Sequence, residues 1–345
     1  MKSHRVTMRM VAEEAGVSIQ TVSRVLNEHP DVAAATAVRV REVMQRLHYT
    51  PNAIARSLIQ QRSYTIGVAI DALEWSGPSR ILAGLNYGAE ARGYSLLIKR
   101  IQEEDTQNVA PLLETMLSRQ VDGIIWSIPE IGDNHRWVQE TCAGFGVPIV
   151  FLSVPLREGI PSVSVDEYAA GRMATQHLVE TGCKCITHVA GPEASWEARE
   201  RKRGWQDALT QAGLECGQKQ LRWSDKAWSP ESGGECFEDL LENCPEMDGV
   251  FVASDQMALK VLQVAGQKGI RIPDQLAVIG HDNVPESGYY WPSLSTIDHD
   301  HVNLGIQAVE LLLEIIESDS SAEEAAPNCV LHPQLVVRKS TTKEG

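Results

Sequence analysis

The amino-acid sequence predicts a small all-α head of helix-turn-helix type joined to an α/β core of two doubly wound parallel-sheet subdomains. About the first 60 residues show helical periodicity without strand patterns. From Tyr64 onward, continuous runs of Val, Ile and Leu alternate with amphipathic helical segments, which is typical of parallel sheets covered on both faces. The chain has 345 residues, enough for two or three domains.

Charge is distributed unevenly along the chain. The net charge is −15, yet residues 1–62 hold nine Lys and Arg against five Asp and Glu, so the remainder carries −19. A basic segment on an acidic body is typical of a nucleic-acid-binding module attached to another domain. No apolar run reaches the roughly 18 residues of a membrane span, and the N-terminus lacks the apolar region of a secretory signal. We therefore expect a cytoplasmic protein.

Three helices are predicted in the head. Thr7 is expected to cap a first helix that ends at Gly16, and Ser18 to cap a second helix over IQTVSRVLN. A third helix over about 36–47 begins at Ala33, which offers no capping side chain. Pro51 suits the first position of a further short helix between head and core.

The core is predicted to contain at least eight strands with helices between them. The strand runs are TIGVAI, YSLLIKRI, VDGIIW, PIVFLS, SVSVD, CITHVAG, GVFVAS and LAVIGHD, and a final strand is expected over CVLHPQLVVR. Helices are expected at about 79–92, 106–119, 135–144, 167–181, 197–212, 231–243 and 255–268. Prolines between 155 and 161 suggest the division between two subdomains. Ligands of open α/β sheets bind at the carboxyl ends of the strands, where we expect a binding site.

The segment VAEEAGVSIQTVSRVLN has the pattern of a helix-turn-helix. The first residues of its second helix, Ile19 and Gln20, are expected to enter a major groove, where Gln pairs with adenine. Arg24, one turn later, is placed to reach a guanine edge. Side chains suited to phosphate contacts are Ser18, Thr21, Ser23 and Asn27. The alternative interpretation is an ordinary helical hairpin, but the local basic charge and the third helix favour DNA binding.

Sequence motifs along nearly the whole chain resemble the lactose/galactose repressor family of bacterial transcription regulators. They are AGVSIQTVSRVLN, YTPNAIARSL, IGVAI, GPSRILAGL, HVAGP, ARERKRGW, VFVASDQMALK, LAVIGHDN and LSTIDHD. The resemblance implies a core like that of periplasmic sugar-binding proteins, with a ligand between two subdomains. It is imperfect in the head, where Met10 replaces a common Asp and Ala33 a usual Ser.

The resemblance also implies a domain organisation. Residues 1–50 would form the DNA-binding domain, 51–63 a hinge helix and linker, and 64–345 an effector-binding and dimerisation core. Within the core, the N-subdomain is expected over about 64–161 and 294–318, and the C-subdomain over about 162–293 and 319–338. In the hinge, Asn52 and Ala55 match minor-groove contacts and Leu58 matches an apolar wedge at the centre of the operator. The alternative for Leu58 is a hydrophobic residue that only caps the hinge over the core.

Eight positions match effector contacts of the family. They are Asp71, Ser79, Ser127, Arg201, Trp228, Ser254, Asp282 and His299. Their chemistry suits a neutral polyol, because Asp282 accepts from hydroxyls, Arg201 donates to them and Trp228 stacks on a sugar ring. Each has an alternative role: Arg201 as a solvated helix residue, Trp228 as a core residue and Asp282 as a helix cap. The departures from the family pattern leave the identity of the sugar open.

We expect neither a metal site nor a catalytic site. In DHDH (298–301) strand alternation places only His299 and His301 on one face, and no Cys or His partner lies at zinc-site spacing. GxSxG, Walker A and HExxH motifs do not occur in the sequence. The sequence therefore predicts a homodimeric repressor of a carbohydrate-utilisation operon, without a cofactor, that a sugar releases from a palindromic operator. Alternatives are a corepressor ligand, a sugar-binding receptor and a carbohydrate enzyme.

Overall fold

The computed structural model describes residues 6–26, 29–49, 62–101, 109–131, 134–135, 137–138, 145–225, 228–318 and 327–342. The chain divides into two compact units, Met1–Ser63 and Tyr64–Gly345. Each unit has its own hydrophobic core and is described by itself.

The described residues of the first unit form three helices, α1 (Met8–Ala15), α2 (Ile19–Leu26) and α3 (Ala34–Arg46). The Thr7 side chain accepts a hydrogen bond from the Met10 N–H, which confirms the predicted cap of α1. Gly16 ends the helix in the left-handed region at φ +64°, as predicted, and places α2 across α1. The helices enclose a core of small apolar side chains: Val11, Ala12, Ala15, Val22, Val25, Val40, Val43 and Met44.

In the described part of the second unit, the strands form two six-stranded sheets. Its strands are β1 (Thr65–Ile70), β2 (Ser95–Arg100), β3 (Gly123–Ser127), β4 (Ile149–Leu152), β5 (Ser162–Val165), β6 (Ile186–Pro192), β7 (Leu221–Ser224), β8 (Gly249–Val252), β9 (Ala277–His281), β10 (Ser295–Asp298), β11 (Asn328–Leu331) and β12 (Gln334–Val336). The first sheet has the order β2-β1-β3-β4-β5-β11 and the second β7-β6-β8-β9-β10-β12. All neighbours are parallel except β12, which pairs antiparallel with β10.

Helices cover the faces of both sheets. They are α4 (Ser76–Ala91), α5 (Ala110–Leu117), α6 (Glu167–Glu180), α7 (Trp196–Gln211), α8 (Pro230–Asn243), α9 (Asp255–Gln267) and α10 (His301–Glu317). The eight predicted strand runs all form strands, but β7, β10 and α10 were not among the predicted elements. The predicted final strand is two strands, β11 and β12, one in each sheet. Most of the helix predicted over 135–144 lies outside the described residues.

The chain passes from one sheet to the other at places that differ from the expected subdomain boundaries. β5 pairs with β4 in the first sheet, although residue 162 was expected to begin the second subdomain. The prolines at 155 and 161 lie in the loop that joins these two strands, where an absent backbone N–H is tolerated. β10 belongs to the second sheet and β11 to the first, which also reverses the expectations for 294–298 and for 328–331. The chain therefore crosses from one sheet to the other after β5, after β10 and between β11 and β12.

The strand order reverses once in each sheet. In the first sheet the order reverses between β1 and β3, and in the second between β6 and β8. Loops that leave the carboxyl ends of strands diverge at such a reversal and open a crevice. Each sheet therefore offers a crevice at this edge.

Candidate functional site

The N-terminus of α2 presents the side chains that were predicted to read DNA. Ile19 is 49 % exposed, and Gln20 and Arg24 are exposed as well. The Ser18 hydroxyl accepts a hydrogen bond of 3.0 Å from the Thr21 N–H, so Ser18 caps α2 as predicted. Thr21 and Ser23 are half-buried on the same helix. Four further predicted contacts, Asn27, Asn52, Ala55 and Leu58, lie outside the described residues.

A cavity of about 190 Å³ lies at the carboxyl ends of strands from both sheets. The first sheet contributes the residues after β1, β3 and β4, and the second those after β6, β7, β8 and β9. The segment between β10 and α10, where the chain returns to the first sheet, contributes as well. The lining residues are Ala72, Trp75, Gly77, Pro78, Ile81, Ser127, Pro129, Ile131, Leu152, Ser153, Glu197, Arg201, Trp228, Ser254, Gln256, Asp282, His299 and His301.

Six of the eight predicted effector positions line this cavity. They are Ser127, Arg201, Trp228, Ser254, Asp282 and His299. Asp71 and Ser79 do not belong to the lining, and each is engaged elsewhere. Asp71 is buried and lies 3.2 Å from the guanidinium of Arg100, and the Ser79 hydroxyl donates to the carbonyl of Leu73. That these two side chains contact an effector stays a prediction.

Arg201 is a buried cavity residue and not a solvated one, since only 4 % of it is exposed. Its guanidinium donates to both carboxylate oxygens of Glu167, at 2.7 and 3.2 Å, and to the Ala253 carbonyl at 2.8 Å. Burial alone raises the pKa of Glu167, but the charges of Arg201 and His299 hold that pKa well below its usual range. Glu167 is therefore ionised and fixes the guanidinium.

Trp228 forms an aromatic wall of the cavity. The guanidinium carbon of Arg201 lies 5.1 Å from the centre of its ring. The ring rests against Gly191 at the end of β6, where a Cβ atom would come within 2.2 Å of it. Trp228 also packs against the core of the second sheet, so it is both a core residue and a lining residue.

Ser254 and Asp282 lie at the ends of β8 and β9. The Ser254 side chain caps α9 by accepting from the Met257 N–H at 3.2 Å. Asp282 has a φ of +109°, an uncommon conformation for a residue other than glycine, and it does not cap a helix. Its Oδ1 lies 3.1 Å from Nδ1 of the buried His281. The backbone thus holds the Asp282 carboxylate at the cavity wall.

The motif DHDH divides into two structural aspartates and two cavity histidines. Asp298 accepts from the Asp300 N–H at 2.8 Å, and Asp300 caps α10 by accepting from the Asn303 N–H. His299 and His301 are both buried and line the cavity. Burial lowers the pKa of His301 to about 4, so its imidazole is neutral near pH 7.

Comparisons with known proteins cover both units. Residues 7–52 match the model of bacterial regulatory proteins of the lacI family, and residues 175–341 match a periplasmic binding protein-like domain. The lactose operon repressor of Escherichia coli strain K12 is 32 % identical over 336 residues, which is 97 % of this chain and 91 % of that protein. The chain belongs to the LacI family.

Other members of the LacI family are equally similar in sequence. The transcriptional repressor PurR of Pasteurella multocida strain Pm70 is 32 % identical over 97 % of this chain and 98 % of its own. The solved structure of a Lac repressor dimer bound to operator and the anti-inducer ONPF has a TM-score of 0.85 at 32 % identity, covering 98 % of this chain and 99 % of that one. This protein is thus a LacI-family transcription repressor. No helix within the described residues has the length and apolar character needed to cross a membrane.

Twelve lining residues of this LacI-family protein were not among the predicted effector contacts, and three of them carry charged, amide or imidazole side chains: Glu197, Gln256 and His301. Glu197 lies four residues before Arg201, on the same face of α7, and this spacing was a usable signal. Burial and the nearby Glu167 raise the pKa of Glu197 to about 7. Gln256, in the first turn of α9, follows Ser254. His301 was recognised as sharing a face with His299 but was not expected to line a binding site.

Proposed function

We propose that this LacI-family protein represses a carbohydrate-utilisation operon and that a carbohydrate in the cavity releases it from its operator. The proposal rests on one observation: the cavity is lined by the aromatic ring of Trp228, the guanidinium of Arg201, the carboxylate of Asp282 and the hydroxyls of Ser127 and Ser254. A sugar presents a ring face that stacks on an aromatic side chain and a rim of hydroxyls that both donate and accept.

DNA recognition is assigned to α2. Its exposed Ile19 and Gln20 suit base contacts in a major groove, with Arg24 one turn further along. Ser18, Thr21 and Ser23 suit phosphate contacts that fix the register. We assign Asn27 to the same phosphate contacts, and Asn52, Ala55 and Leu58 to a hinge helix in the minor groove.

The active form is proposed to be a homodimer on a palindromic operator, since two heads related by a two-fold axis read two half-sites about one helical turn apart. Residues 1–50 would bind DNA, 51–63 would form the hinge, and 64–345 would bind the effector and dimerise. Because operator DNA lies in the cytoplasm, this role places the protein there. The role is one of binding rather than catalysis, as in its repressor relatives.

Release depends on a difference in affinity between two arrangements of the sheets. The cavity is lined from both sheets, so a change in their relative position changes the contacts available to a ligand. A ligand that binds one arrangement more tightly shifts the population toward it, whereas equal affinity for both shifts nothing.

Fluorescence anisotropy on the promoter nearest the gene of this protein tests the proposal. With a panel of mono- and disaccharides, the inducing sugar is expected to weaken operator binding by about 5- to 150-fold. A sugar that tightens binding would overturn the inducer role and identify a corepressor. If every sugar leaves operator affinity unchanged, the effector assignment is wrong.

A matched pair of serine substitutions tests the cavity itself. Ser127→Ala is expected to lower sugar affinity about 3- to 10-fold, because it removes one hydrogen bond worth about 0.5–1.5 kcal/mol. Ser118→Ala is the control, since Ser118 is exposed at the end of α5 and lies outside the cavity lining. Equal loss in both variants would argue against sugar binding at this cavity.

A further inference from the structure

Two histidines and an aspartate converge on the cavity wall in a way that binding of a neutral sugar does not require. Asp282, His299 and His301 each place one possible ligand atom within 4.8 Å of the other two. Asp282 Oδ1 lies 3.8 Å from His301 Nε2. In a tetrahedral zinc site with bonds of about 2.0–2.1 Å, ligand atoms lie roughly 3.3 Å apart, so small side-chain rotations suffice. We infer that these three residues form a binding site for a divalent transition-metal ion of the zinc class.

The unsatisfied nitrogens of the two histidines support this inference. His299 and His301 are 5 % and 6 % exposed. His301 Nδ1 has no hydrogen-bond partner among the described residues, and His299 Nε2 makes no hydrogen bond although Glu167 Oε2 lies 3.3 Å from it. A buried polar atom without a partner costs about 1–3 kcal/mol, so an unsatisfied pair at one cavity wall requires an explanation. A metal ion that binds His299 Nε2 would satisfy that nitrogen directly.

Local charge also favours a cation. Among the described lining residues, Glu197 and Asp282 are acidic and Arg201 is the one Lys or Arg. Both carboxylate oxygens of Glu167 already accept from Arg201, so that guanidinium is neutralised. Within the described residues, Asp282 forms no salt bridge with a Lys or Arg, so a divalent ion would supply a positive partner that a neutral sugar does not.

The surroundings resemble the outer shell of a metal site. Ligating carboxylates and imidazoles in proteins are oriented by further hydrogen bonds. His281 Nδ1 lies 3.1 Å from Asp282 Oδ1 and so orients that carboxylate. The trio of Glu167, His281 and His299 is also compact, but its carboxylate is bound to Arg201 and does not line the cavity. The site that includes Asp282 is therefore the one that an ion can enter.

The location of the three ligands gives the ion a role in regulation. Asp282 follows β9 of the second sheet, His299 lies where the chain leaves that sheet, and His301 begins α10. The His301 ring touches Gly77 of α4, where a Cβ atom would lie 3.2 Å from Nε2, and α10 packs against the first sheet. A bound ion would tie the two subdomains together and leave a coordination position open to the cavity, where a water or a sugar hydroxyl can bind.

Zinc titration of full-length, tag-free protein, stripped with EDTA and dialysed, tests the inference. Isothermal calorimetry with ZnCl₂ is expected to show one site per chain, and CoCl₂ to give the visible absorption of a tetrahedral site. MgCl₂ is expected not to compete, because two of the three ligands are nitrogens. His301→Gln and Asp282→Asn are expected to weaken zinc binding at least about 100-fold. Asn is among the residue types enriched at positive φ, which suits position 282, and circular dichroism checks that both variants are folded.

His332→Gln is the control, since His332 is exposed and lies outside the cavity lining; it is expected to bind zinc like the wild type. Absence of saturable zinc binding, or binding that survives in both ligand variants, would overturn the inference. The operator assay is read separately, in EDTA. If zinc binding fails while a sugar still changes operator affinity, the metal site alone is wrong. If zinc binds at these residues but no sugar acts, the proposed function alone is wrong.

Discussion

At the scale of single residues, the cavity is made of polar groups whose charge is set by burial. Arg201 and Glu167 are both almost completely buried, and each neutralises the other. Removing one partner of such a pair leaves an uncompensated buried charge, which typically costs 3–5 kcal/mol. The two hydrogen bonds from Arg201 to Glu167 therefore fix the position of the Arg201 guanidinium at the cavity.

His188 gives a residue-scale prediction about pH. It stacks on Phe251 at 4.5 Å, and its Nδ1 lies 2.9 Å from the Phe251 carbonyl, so this nitrogen carries the proton. Burial lowers the pKa of His188 to about 3, against about 6.5 in the unfolded chain. Between these values the unfolded state binds a proton that the folded state does not, so stability falls as pH falls. From pH 7 to pH 5 this histidine alone is expected to remove about 2 kcal/mol of unfolding free energy.

Urea denaturation at several pH values measures this effect. All eight tryptophans lie in the core unit, so their fluorescence reports the unfolding of that unit. His188→Phe keeps a ring on Phe251 but cannot take up the proton, so its unfolding free energy should depend less steeply on pH, whatever its absolute stability. An unchanged slope between pH 5 and 6.5 would show that His188 is not the group responsible.

Sequence reasoning placed six predicted residues at the cavity, and they include serines as well as charged and aromatic side chains. Arg201, Trp228 and Asp282 line the cavity as expected, because each follows or faces the end of a strand near the reversal of strand order. Asp71 also follows a strand, but Arg100 at the end of the neighbouring β2 pairs with it. That pairing depends on the register of two strands, which the sequence pattern does not specify.

At the scale of elements, the packing of α4 against α10 positions His301. The two helices approach so closely that a Cβ atom on Gly84 would lie 2.0 Å from the Val302 carbonyl oxygen, and one on Gly305 would lie 2.4 Å from that of Ile81. Glycine on both helices thus allows backbone-to-backbone contact. The same crossing brings the first turn of α10 next to Gly77.

Gly84→Ala is expected to destabilise the core by about 2–3 kcal/mol, because its methyl group would overlap backbone atoms that cannot move independently. Urea denaturation followed by tryptophan fluorescence measures the loss. Gly266→Ala is the matched control: it is also helical, in α9, but has no atom within 4 Å of an added Cβ. That control is expected to gain about 0.5–1 kcal/mol from helix propensity. Similar changes in both variants would contradict the close crossing.

The elements missed from the sequence share a physical cause. β10 has the sequence STID, and its buried Ser295 and Thr296 are satisfied by hydrogen bonds to Thr341 and Asp255 rather than by apolar packing. Hydrophobic periodicity does not detect such a strand. In α10, Leu311, Leu312 and Leu313 are consecutive and all buried. The helix therefore lacks the single apolar face by which an amphipathic helix is recognised in a sequence. Elements with one apolar face, such as α3, were predicted closely.

At the scale of the whole molecule, two units of opposite charge are proposed to bind two different ligands. Residues 1–62 carry a net charge of +4, and the remaining residues carry −19. The acidic unit would repel DNA, so attraction to the phosphate backbone is confined to the head. A neutral sugar has no net charge, so the negative charge of the second unit neither attracts nor repels it.

Salt is therefore expected to separate the two binding events. Raising KCl from 50 to 200 mM should weaken operator binding by about 10³-fold or more if six to ten phosphates are contacted, because DNA binding releases condensed counterions. Anisotropy measures this loss on a labelled operator. Calorimetry on the same protein should show less than a twofold change in affinity for the inducing sugar, since no ion pair forms with a neutral ligand. A parallel loss of ligand affinity would show that the effector is charged, and it would contradict the assignment of the cavity to a neutral carbohydrate.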